Sequence, residues 1–145
     1  MNWKKEAEND LRNYERRLQS LQNTAEKIRA LREQMLSIRG GISDSAPVQG
    51  GSSSAQDRMI DCIAEIERLG HTRAATARLV RLVERGLDSL SEQERRVLEL
   101  FYIRRSPGHV ERLMEELNIE KSQVYRVKEE ALYRFTVTIY GIIDC

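Results

Sequence analysis

A chain of 145 residues with 40% hydrophobic, 32% charged and 6% aromatic side chains has room for one modest domain plus an extended element, which argues against a multidomain enzyme. Its richness in Leu, Arg and Glu favours helices over a sandwich or barrel, so the expected fold is all-α. Lys and Arg number 24 against 23 Asp and Glu; no global field draws the protein to nucleic acid or to an acidic membrane, and any binding surface is a local patch.

From Trp3 to Ile38 apolar residues recur at spacings of three and four. Ala7, Tyr14, Leu21, Ile28 and Met35 occupy one heptad position, and Leu11, Leu18 and Ala25 the other. Arg32 interrupts the seam and weakens it toward its C-terminal end. Residues 1–39 are therefore expected as a long coiled-coil helix of about 55 Å, too long to stand alone. Two partners are open to it. One is a second copy, giving a homodimer through Leu11, Tyr14, Leu18, Leu21, Ala25 and Ile28; the other is the rest of the same chain, folded back on it.

Residues 40–56, at the heart of the stretch GGISDSAPVQGGSSSAQD, are dominated by Gly and Ser and are expected as a flexible linker. Neither Gly-Gly pair is followed by Gly-Lys-Ser/Thr or preceded by a strand, which excludes a phosphate-cradling loop. From Asp57 the helical period resumes through Met59, Ile60, Ile63, Ile66 and Leu69, with an expected end at Gly70 and a new helix capped by Thr72. That helix carries Ala75, Leu79, Leu82, Val83, Gly86 and Leu87 on one side.

Ser91-Glu92-Gln93-Glu94 has the form of a capping box, and Val97, Leu98, Phe101 and Tyr102 supply the apolar side of the helix it starts. Pro107-Gly108 stops that helix just past Arg104 and Arg105. Val110, Leu113, Met114 and Leu117 mark a short helix, Asn118-Ile119 a turn in which Asn tolerates a left-handed backbone, and Val124, Val127, Ala131 and Phe135 the core side of a longer helix. Residues 57–141 are expected as a helical domain with a helix-turn-helix at 109–135. In such a motif the start of the second helix enters the major groove. Ser122, Gln123, Tyr125 and Arg126 are the base-reading candidates, and Lys121, Arg104, Arg105 and Lys128 the phosphate candidates.

The segment Leu90 to Phe135 resembles the fourth region of bacterial sigma factors. Leu90-Ser91, Glu94-Arg95, Val97-Leu98, Leu117, Ile119, Val124, Val127 and Ala131-Leu132 match its pattern, while Met114, Asn118 and Glu120 depart from it. Together with the coil and linker, the chain resembles the ArpU/RinA-type phage late-transcription regulators. The resemblance implies a phage or prophage protein in the cytoplasm of a bacterial host. It would bind double-stranded DNA at late promoters, with host RNA polymerase as a further partner. Two other readings are a protein-interaction adaptor that does not read DNA and a small-terminase-like packaging protein.

Catalytic chemistry is not expected. His71 and His109 are isolated, Glu115-Glu116 and Glu129-Glu130 diverge around their helices, and Cys62 lies among Ile60, Ile63 and Ile66 as a buried, inert thiol. Cys62 and Cys145 are too few for a disulfide framework or a zinc cluster, so no metal or cofactor is expected. The opening MNWKKEAEND lacks a signal-peptide core, and no apolar run approaches the about 20 residues of a membrane span, so neither export nor a membrane partner is expected.

Overall fold

The computed structural model describes residues 1–44 and 51–141, and every regular element among them is helical. The elements are α1 (Trp3–Arg12), α2 (Tyr14–Asp44), α3 (Gly51–Asp88), α4 (Glu92–Leu98), a π-helical turn over Glu99–Ile103, α5 (His109–Leu117) and α6 (Lys121–Tyr140). They form two compact units, one from residues 1–18 with Arg78 onward, the other from Gln19–Ala77.

In the first unit α6 is the central helix, packed by α1, α4 and α5. Phe135, Leu132, Leu113, Leu98, Val97 and Val124 are fully enclosed, and Ala7 and Leu11 of α1 belong to the same core. The Trp3 ring lies 4.9 Å from that of Tyr140. The Tyr140 hydroxyl donates to Asp10, whose carboxylate also takes a 3.0 Å hydrogen bond from Arg17. The capping box forms as the sequence predicts: the Glu94 amide donates to Ser91 Oγ at 3.2 Å, and the Ser91 amide to Glu94 Oε1 at 3.1 Å.

The π turn closes with the Arg104 amide on the Glu99 carbonyl, 2.8 Å away. Its wider winding lets Leu100, Phe101 and Tyr102 all be buried, where three successive residues of an α-helix would spread over more than half its circumference. Close approach to α6 is permitted by Gly86 of α3. A Cβ there would lie 2.6 Å from the Phe135 ring and 2.7 Å from Ile139.

In the second unit α2 and α3 run antiparallel. Ile38 packs with Ala55 and Cys62, joined by Leu31, Met35 and Met59, and Leu31 and Gln34 line one depression with Asp61, Cys62 and Glu65. Earlier residues of α2 thus meet later residues of α3. Cys62 is buried, as expected from its apolar neighbours.

Four features differ from the sequence-based expectation. The helix expected over Trp3–Ile38 is interrupted at Asn13, where α1 ends, and α2 resumes at Tyr14; Asn competes for backbone hydrogen bonds and is a poor helix-interior residue. Of the linker expected at 40–56, residues 40–44 and 51–56 are helical and 45–50 lie outside the described residues; burial of Ala55 against Ile38 holds this end of α3. The expected boundary at Gly70 and Thr72 is absent. Thr72 Oγ donates to the Arg68 carbonyl at 3.1 Å within a continuous α3, because good helix formers on both sides outweigh the roughly 1 kcal/mol cost of one glycine. Finally, compactness divides the chain inside α2 and α3, so α5 and α6 share their unit with α1 and not with residues 57–77. No helix among the described residues is long and apolar enough to cross a membrane.

Candidate nucleic-acid interface

The α5–turn–α6 segment is built by its caps. Gly108, at φ 76°, starts α5 in a conformation that costs a glycine little. Asn118 ends it at φ 54° and ψ 51°, the left-handed conformation the sequence predicts for this residue. The Ile119 amide donates back to the Met114 carbonyl at 3.2 Å, while the Ile119 side chain, partly buried, packs against the core of the unit. Glu120 is the N-cap of α6 through its backbone, and its carbonyl accepts from Gln123 and Val124 at 3.0 and 3.1 Å. Three residues thus turn the chain from one helix to the next, the connection a helix-turn-helix requires.

Core contacts orient α6. Val124, Val127 and Ala131 face inward, leaving Lys121, Ser122, Tyr125 and Arg126 exposed and Gln123 half-buried. Four of the base-reading and phosphate candidates therefore share the solvent side of the first two turns, with Gln123 at its edge. The Tyr125 ring is steadied from behind: it meets Phe101 edge-on at 5.8 Å between centroids, and Lys128 Nζ lies 5.9 Å from its centroid. His109 meets the same Phe101 ring edge-on at 4.7 Å. The run of Phe101, Tyr102 and Tyr125 was visible in the sequence, but only the π turn aims Phe101 at α6.

Ion pairing separates the basic candidates. Between Glu92 and Tyr140 there are nine Lys and Arg side chains. Arg96 makes a bidentate pair with Glu116 at 2.9 Å, and Arg112 joins the same carboxylate at 3.1 Å. Arg134 pairs with Glu94 at 3.2 Å and Arg95 with Asp88 at 3.7 Å. Arg104 is held by Glu15 and Glu99. Lys128 is largely covered, lies 5.4 Å from the Phe101 centroid and pairs with Glu129 at 3.0 Å. Lys121, Arg126 and Arg105 are exposed and have no carboxylate within ion-pair distance among the described residues. Arg104 and Lys128 are thus engaged with protein groups, whereas Lys121, Arg126 and Arg105 are not paired with a carboxylate among the described residues. Hydrogen bonds from Arg96 hold the Glu116 carboxyl down at about 2, with Arg112 adding to the effect.

Sequence reasoning missed Lys4. Its Nζ reaches from α1 to Glu129 of α6 at 2.7 Å, so Glu129 is shared by Lys4 and Lys128. No local signal marks the contact, since 125 residues separate the partners.

The six residues of the expected self-association seam scatter. Leu11 is fully buried in the first unit's core and Tyr14 packs against it, donating to Glu84 at 2.9 Å. Leu18 is exposed, and Leu21, Ala25 and Ile28 are half-buried. Leu11 is unavailable to a second chain in this fold, because the helix that carries it closes the core of its own unit.

Comparison with known proteins adds no relative: no family model, no curated protein and no solved structure matches the chain.

Proposed function

We propose that the protein is a sequence-specific DNA-binding transcription regulator that reads the major groove with the first two turns of α6. The observation that carries this reading is the exposed set of Lys121, Ser122, Tyr125 and Arg126, whose two cations have no carboxylate partner among the described residues, in a unit where most other basic side chains do. Arg126 and Gln123 offer the donors that bridge guanine or pair with adenine. Lys121 and Arg105 offer point charges for phosphate, which position the helix without choosing a sequence. The resemblance of Leu90 to Phe135 to the fourth region of sigma factors points the same way, toward promoter DNA and the ArpU/RinA type of late regulator. Near-neutral net charge fits a protein whose affinity comes from a small local patch, and so a shallow dependence on salt.

Selection of bound fragments from a genomic library tests this, run with the unaltered protein beside an Arg126→Ala, Gln123→Ala double variant. A single enriched motif that the double variant loses is the expected result. Flat enrichment for both would overturn DNA reading and favour an adaptor. Arg126→Ala alone should cost about 1–3 kcal/mol and relax the preference at one base pair, whereas Lys121→Ala should weaken cognate and random DNA alike. Titration of labelled duplexes separates the two effects.

A further inference from the structure

The second unit buries little. Among its described residues only Ile38, Ala55, Cys62 and Leu69 are buried, while Leu36 is 65%, Ile60 62% and Ile63 44% exposed. All three lie on the same side of the α2–α3 seam, Ile63 toward the middle of that side and Leu36 and Ile60 toward its two flanks. With 3.6 residues per turn, Leu36, Arg32 and Arg29 lie clockwise of the α2 seam defined by Leu31, Met35 and Ile38, viewed from the N-terminus of α2. Ile60, Ile63 and Glu67 lie clockwise of the α3 seam defined by Ala55 and Cys62, viewed likewise. In an antiparallel pair the two clockwise sides form a single surface. The α2 half of that surface is basic, through Arg29 and Arg32, and the α3 half bears Glu67; among the described residues no ion pair engages any of the three.

We infer that this face binds the same face of a second copy, giving a two-fold dimer of four helices that covers Ile63 and brings Leu36 against the partner's Ile60 at its edge. A two-fold axis along the hairpin sets α2 against the partner's α3. Register within the chain places Leu31 level with Cys62, so Leu36 falls within about one turn of the partner's Ile60, and Arg29 within about one turn of the partner's Glu67. Beside Leu36 a depression of about 230 Å³, lined by Arg32, Met35, Leu36 and Arg39, receives the partner's isoleucine. Arg29 then meets the partner's Glu67 twice, once on each side of the axis, which is the self-complementarity an isologous interface needs. Gly70, with open space around its Cβ position, and Ala74 leave room for close helix approach farther along α3. On α2 this face overlaps the heptad seam read in the sequence, at Arg32 and Met35, and adds α3 to it; it does not depend on DNA reading.

Sedimentation equilibrium of the full chain over a range of concentrations tests the proposal, with circular dichroism to confirm helicity. The expected species is a dimer. Ile60→Glu and, separately, Glu67→Arg should each raise its dissociation constant by about tenfold or more, and adding Arg29→Glu to Glu67→Arg should restore most of the loss. Arg29 and Glu67 are both exposed, so the charge reversals decide the matter even if Ile60→Glu fails to fold. A chain that stays monomeric, a ring of many subunits, a dimer indifferent to these changes, or no recovery in the double reversal would each overturn the inference.

Discussion

Gly86 shows how one absent side chain can set a domain's geometry. It sits on the buried side of α3 with the Phe135 ring against its α-carbon, and any Cβ would overlap that ring. Gly86→Ala is expected to destabilise the protein by about 1–3 kcal/mol, even though alanine is the better helix former, because overpacking outweighs propensity here. Urea unfolding compared with Gly70→Ala, where nothing lies within 4 Å of the new methyl, checks this: the second change should be neutral or stabilising. Neither role was legible in the sequence, in which Gly70 looked like a helix end and Gly86 like one more residue on an apolar face. Asn118 was legible, since its left-handed conformation follows from a local tolerance and the turn around it is short.

At the scale of elements, α1 is where sequence and structure part most. Its Ala7 and Leu11 spacing is that of a coiled-coil seam and equally that of a helix closing a domain, because both bury one stripe of a 3.6-residue period. The core decides: Leu11 is fully enclosed with α6 and the π turn. Leu11→Ala is expected to cost about 2–5 kcal/mol and to lower the unfolding midpoint of the unit that holds α6. The same substitution should leave the dissociation constant of the dimer proposed above within about threefold, since Leu11 and that face belong to different compact units. Thermal unfolding and sedimentation on one preparation separate the two roles. The capping box at Ser91, by contrast, was fully legible, because all its partners lie within four residues.

Across the whole molecule, tertiary hydrogen bonds leave a signature in pH. Burial, followed by the hydrogen bond to Glu84, pushes the Tyr14 hydroxyl up to about 12. Tyr102 and Tyr140 are raised as well, each first by burial and then by nearby carboxylates, Glu8 for Tyr102 and Asp10 for Tyr140. A raised phenol favours the fold while protonated. Its contribution is whole below the ordinary value of 10.0 and is lost as pH climbs through the folded value. Glu116 behaves in the opposite sense: its contribution is present above 4.5 and lost as pH falls toward about 2. Stability should therefore decline above pH about 10, less steeply in Tyr140→Phe, and below pH about 4.5, less steeply in Glu116→Gln. Denaturant midpoints measured across pH check both limbs.

The sequence by itself determined the all-helical character, the caps and turn that shape α5 and the start of α6, and the residue types that α6 offers to solvent. These follow from spacings of three or four residues and from single-residue backbone preferences, which act within one turn of chain. Only the tertiary structure decided that α1 belongs with α5 and α6, that α2 pairs with α3, that α3 runs unbroken through Gly70, and which cations are already neutralised. Those outcomes depend on which apolar stripe finds which, and on salt bridges such as Lys4 with Glu129. Helical periodicity states that a face must be buried; it carries no information on what will cover it.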